Sequence, residues 1–120
     1  MRYNVWYDET NHFVRARVDE SLTKDEAEKM MNEMEELLNK HKTRKGIMDL
    51  SNADSIRKVS KETRNVYKEH SKTLPLDKAA IIVNSPVLRM IAKVAVSALG
   101  STMVARFVKS EEEALDWLKE

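Results

Sequence analysis

Apolar residues along this chain fall into two rhythms, strand-like runs and helix-like stripes, and they alternate. The first run is paired. Val5 and Tyr7, then Phe13 with Ala16 or Val18, flank the polar turn Asp8-Glu9-Thr10-Asn11 and predict a hairpin over 3–7 and 12–18. In the second arm His12, Val14, Ala16 and Val18 alternate with Phe13, Arg15, Arg17 and Asp19, which predicts a strand with one wetter face, as at a sheet edge. A stripe follows: Ala27, Met30, Met31, Met34, Leu37 and Leu38 recur at three- and four-residue steps, behind the capping box Thr23-Lys24-Asp25-Glu26. Asn39 to Lys45 then reads as a charged connection ending at Gly46.

Three further runs each lead into a helix-start signal. Ile47-Met48-Asp49-Leu50 meets Ser51-Asn52-Ala53-Asp54-Ser55, and Ala79 to Val83 meets Asn84-Ser85-Pro86. Met103 to Val108 meets Ser110-Glu111-Glu112-Glu113, a second capping box. The helices so predicted run from Asp54 or Ser55 to Lys72, from Pro86 to Leu99 with Gly100 as a left-handed cap, and through Ala114, Leu115, Trp117 and Leu118. Pro75 ends the first of these. The order is ββαβαβαβα. Strands alternating with helices predict an α/β fold, with a mixed, mostly parallel sheet, an N-terminal antiparallel hairpin and four covering helices.

At 120 residues, 42% hydrophobic and 34% charged, the chain fits a single domain over 1–120 with enough apolar material for a core. No run approaches the roughly 18 apolar residues of a membrane span, which excludes an integral membrane protein. There is no signal-peptide pattern at the start and there are no cysteines, so a cytoplasmic location is expected. The net charge of +1 hides a segregation. Residues 1–40 hold 6 basic and 10 acidic side chains, residues 41–109 hold 14 and 5, and residues 110–120 hold 1 and 5. A basic face on a balanced molecule follows.

Catalytic patterns are missing. His12, His41 and His70 have no ligand spacing, and the only glycines, Gly46 and Gly100, cannot build a phosphate loop. No metal, no cofactor and no catalytic residue are expected. The chemistry that remains lies at the three strand-to-helix junctions. If the strands are parallel, Asp49, Ser51, Asp54, Ser55, Asn84 and Ser85 gather on one rim, the place where open α/β sheets bind ligands. Capping explains most of these residues singly; Asp49, an acid in an apolar strand, needs a partner.

Two surfaces add to the rim. Arg57, Lys61, Arg64, Lys68 and Lys72 make a basic stripe on the second helix, suited to an acidic protein partner. Glu62 and Glu69 on the same helix, and the absence of interleaved aromatics, argue against nucleic acid. The 86–99 helix is apolar nearly all round, with Val87, Met90, Ile91 and Val94 prominent. Such a helix needs cover on more than one side: a homodimer interface ranks first, an apolar ligand second, another segment third.

The hairpin, the acidic amphipathic first helix, the Asp49-Leu50-Ser51 strand end, the segment from Lys78 to Arg89 and the tail Phe107…Glu113-Ala114-Leu115-Asp116-Trp117-Leu118 together resemble the STAS superfamily, closest to its SpoIIAA-like branch. The resemblance implies a helix-covered mixed sheet like that of anti-sigma-factor antagonists, and more loosely of CRAL-TRIO lipid-binding domains, which act by binding. In the antagonists a phosphorylatable serine lies in an Asp-Ser-Ser/Thr-Gly motif; Asp54-Ser55 matches its first half and Ile56-Arg57 replaces the rest. Ser55 is carried over on that match alone. The leading expectation is a non-enzymatic regulatory or protein-interaction module using the rim and the basic face. A carrier of lipid or another apolar molecule, suggested by the 86–99 helix and the Met30-Met31-Met34 stripe, is the alternative. A small enzyme with a site near Asp49 is third.

Overall fold

The computed structural model describes residues 2–51, 60–86, 89–90, 93 and 103–120. Its elements, in chain order, are β1 (Tyr3–Asp8), β2 (Phe13–Val18), α1 (Lys24–His41), β3 (Lys45–Asp49), α2 (Lys61–Ser71), β4 (Lys78–Ile82), β5 (Val104–Val108) and α3 (Glu111–Leu118). The last helix expected from the sequence is α3. Of the expected 86–99 helix, Pro86, Arg89, Met90 and Lys93 are helical; Val87, Ile91, Val94 and its remaining residues lie outside the described ones.

The five strands form one sheet in the order β1-β2-β3-β4-β5, antiparallel at β1–β2 and parallel thereafter. The hairpin turn is set by Asp8, whose Oδ1 accepts from the amides of Thr10 and Asn11 at 3.0 Å each. His12 takes a left-handed φ of 62° to re-enter the ladder. Successive crossovers of one hand put α1 and α2 on the same face. There Ala16, Val18, Ala27, Met30, Met31, Met34 and Val66 pack together, all buried. On the other face α3 seats Ala114 and Leu118 on Phe13, Ile47, Ala80, Ile82 and Val108. Each large side chain so buried contributes about 1.5–3 kcal/mol.

Thr23 makes the expected capping box with Glu26. Three local expectations change. α1 runs on to His41 and closes at Lys42 in the left-handed region, while Lys45 and Gly46 already belong to β3; the connection shrinks to three residues. α2 does not run unbroken from Asp54 or Ser55. Ser60 has extended backbone and its hydroxyl accepts from the Thr63 amide at 3.1 Å, so α2 starts after it. Finally, β2 is an inner strand, not an edge. It lies between β1 and β3, and on its second face Glu111 of α3 and the Trp6 ring meet Arg15, which is buried at 9% exposure. At Gly46 a Cβ would meet the Val14 carbonyl oxygen and Leu76 at 3.2 Å.

Candidate functional site at the carboxyl rim of the sheet

Parallel register aligns Asp49 with Ile82 and Ile82 with Val108, so the ends of β3, β4 and β5 lie side by side. Two bonds beyond the strands extend this alignment: Leu50 N to Ile82 O at 2.8 Å, and Val83 N to Val108 O at 3.0 Å. Ser51, Asn84 and Ser110 therefore emerge on one edge, as the junction pattern predicts.

Asp49 is half-buried and its partner is local. Oδ1 accepts from the Ser51 amide at 2.9 Å and from the Ser51 hydroxyl, an Asx turn that ends β3. Across the strand pair, Arg17 is its register neighbour on the same face. Arg17 Nε lies 3.2 Å from Asp19 Oδ1 as an ion pair without hydrogen-bond geometry. Asn84 is exposed. Ser85 is half-buried and its carbonyl accepts from the Arg89 amide at 2.9 Å, opening the helical turn at Pro86. At the third junction Ser110 Oγ accepts from the Glu113 amide at 3.1 Å. The Glu113 carboxylate returns to the Lys109 amide at 3.1 Å, one residue earlier than the expected capping box requires. Asp54 and Ser55 lie outside the described residues, so their relation to the rim is not part of this geometry.

The basic stripe begins on α2 with Lys61 and Arg64, both exposed, and continues to the half-buried Lys68; Arg57 lies outside the described residues. Lys72 is paired with Glu69 at 3.4 Å. Among the described residues Lys61, Arg64 and Lys68 have no carboxylate within ion-pairing distance. The acids of α2 are on its neighbouring face. Glu62, Asn65 and Glu69 line a groove of about 300 Å³ against Lys24 and Glu28 of α1, with Val66 as its floor. Charge on α2 is thus sorted into two adjacent lines. Met90, the one described member of the expected apolar interface, is 68% exposed.

Sequence spacing did not reveal two clusters, because each joins distant segments. Arg15 Nη1 reaches Glu111 Oε1 at 2.9 Å and Asp8 Oδ2 at 3.2 Å, and its guanidinium sits 5.5 Å from the Trp6 ring centre. Burial pushes the Asp8 carboxyl up, but bonds from Asn11, Arg15 and Thr10 outweigh it and hold the carboxyl below the usual range. The second cluster stacks His41 on Tyr7 with ring centres 3.7 Å apart, and Tyr7 Oη contacts His12 Nδ1 at 2.9 Å.

Among the described residues no group of three or more His, Asp or Glu side chains is placed to hold a metal ion. No described helix is long and apolar enough to cross a membrane. The fold matches that of an uncharacterised DUF3478-family protein from Shewanella loihica PV-4, described as having a SpoIIAA-like fold, with TM-score 0.65 and 19% identity. The match covers 97% of this chain and 91% of that one. The sheet order and helix placement are therefore SpoIIAA-like, as the sequence resemblance implies. No curated protein matches the chain in sequence. A family model does match, over residues 5–120, and the chain belongs to that family, the domain of unknown function DUF7793.

Proposed function

We propose that this SpoIIAA-like domain is a non-enzymatic regulatory or protein-interaction module, and that it takes an acidic protein partner on the basic line of α2 and the adjoining rim. The observation that carries this reading is the set of cations Lys61, Arg64 and Lys68, exposed or half-exposed along one helix line and without carboxylate partners among the described residues. Unpaired like charges a helical turn apart repel by a few tenths of a kcal/mol each, and an acidic partner relieves that cost. The rim supplies hydrogen-bonding groups, Asn84 above all, on a rigid edge.

The carrier reading has lost one of its two motives. Met30, Met31 and Met34 are core residues, at most 4% exposed, and fill the space between α1 and the sheet. Asp49, the residue that suggested an enzyme, is engaged in its own turn. A switch at Ser55 rests on the sequence match alone, since that residue lies outside the described ones; phosphate there would add negative charge to the domain.

The test is differential capture. Lys61→Glu, Arg64→Glu and Lys68→Glu are combined, with folding checked by far-ultraviolet circular dichroism. Proteins retained by the wild-type chain from a lysate of its own source should be lost by the variant, and retention should weaken with salt. Equal retention by both would dispose of the proposal.

A further inference from the structure

At the far edge of the sheet, away from α2, β5 combines, among the described residues, a backbone edge without a further strand and positive charge without a carboxylate partner. Among the described residues β5 pairs with β4 alone. Val104 N donates to Asp77 O at 2.9 Å and Val108 O accepts from Val83 N at 3.0 Å, so Val104, Arg106 and Val108 turn their peptide groups toward β4. In a parallel ladder the intervening residues point the other way. Ala105 and Phe107 therefore present their N–H and C=O groups outward.

The side chains beside this edge are apolar and cationic. Val104 is 56% exposed, one of two large apolar residues so exposed among the described ones. Lys78, its register neighbour on β4, has Nζ 5.2 Å from the Trp117 ring centre, and Arg106 has its guanidinium carbon 5.9 Å from the same ring. Neither cation has a carboxylate partner among the described residues. Two cations therefore converge on one ring with no paired anion among the described residues.

We infer that β5 is a docking edge for an extended acidic segment of a partner protein, which adds as a sixth strand and sets alternate acid side chains beside Arg106, on the sheet face that also carries Lys78 one strand further in. Strand addition supplies main-chain bonds, and the alternate side chains supply selectivity. Charge chooses the occupant. A second copy paired through β5 about Arg106 would put two arginines opposite each other, an unfavourable cross-strand pair. A single aromatic offers little to a run of nucleic-acid bases, which want successive stacking platforms.

The probe is a short peptide of alternating valine and glutamate, compared with its valine–lysine counterpart and a single-stranded oligonucleotide. Amide hydrogen exchange of the full chain is followed by NMR. The glutamate peptide should slow exchange at Ala105 and Phe107. Lys78→Glu with Arg106→Glu should weaken it by about tenfold and transfer preference to the lysine peptide. Ala105→Pro removes one outward N–H and no ladder bond, so it should fold and fail to bind. Absence of slowed exchange, equal binding of both peptides, or preference for the oligonucleotide would each overturn the inference. Should Ala105→Pro not fold, the charge-reversal pair decides alone. The α2 variants leave this edge intact, so failure here and failure of the α2 proposal are separable.

Discussion

Replacing Arg15 by methionine removes the charge but keeps much of the stem that lies in the sheet. Two carboxylates lose a partner, and they differ. Glu111 has a side chain 57% exposed and returns to water at little cost. Asp8 is 12% exposed and stays in place. Stranding a buried charge costs about 3–5 kcal/mol. Asp8, however, keeps bonds from Thr10 N, Asn11 N and Asn11 Nδ2 at 2.9 to 3.0 Å. The substitution also removes Arg15 Nε, a buried donor with no hydrogen-bond partner, whose burial costs about 1–3 kcal/mol. The balance is a loss of about 2 kcal/mol, a fall in Tm of about 8 °C for a chain of this size. Urea and thermal unfolding followed by circular dichroism measure it. Acid sharpens the test. Because Asp8 titrates below its ordinary value in the folded chain, its contribution is complete above about pH 4 and lost as pH falls through that lower value. Arg15→Met weakens the depression, so its stability should fall less steeply with acid than the wild type's. A variant as stable as wild type, or Glu111→Gln costing more than Arg15→Met, would refute this reasoning.

Two other outcomes follow from packing. Gly46→Ala should cost about 1–3 kcal/mol in urea unfolding, since the new methyl comes within 3.2 Å of the Val14 carbonyl oxygen on the neighbouring strand; an unchanged midpoint would contradict that contact. Burial, with a smaller effect from Glu26, pushes the Tyr67 phenol up to about 12. Stability should therefore fall as pH rises from about 10, where the unfolded chain's phenol ionises, toward that value, and Tyr67→Phe should flatten the decline.

Local signals in the sequence were read well because they act locally. Thr23, Ser110 and Pro86 open helical turns through bonds a few residues long, and strand runs followed by caps specify crossovers before any packing is known. The same locality misplaced the start of α2. Ser60 caps α2, and tertiary contact holds it there: Thr63, three residues on, is buried with its hydroxyl on the Leu22 carbonyl at 3.1 Å. β2 misled for a related reason. Arg15 and Arg17 on one face read as solvent, yet Arg15 is buried because Asp8 and Glu111 meet it, the latter from 96 positions away. The rim was anticipated as a place, while its chemistry was not: Asp49 finds its partner two residues on, in Ser51. The outward peptides of β5 depend on strand order, which no residue pattern encodes.

Hydrogen–deuterium exchange of the chain with a captured partner tests the α2 proposal most directly. Protection is predicted at Lys61–Ser71 and at Asp49–Ser51, and is to disappear with the Lys61, Arg64 and Lys68 reversals. Protection confined to Val104–Val108, or unchanged by those reversals, would contradict it.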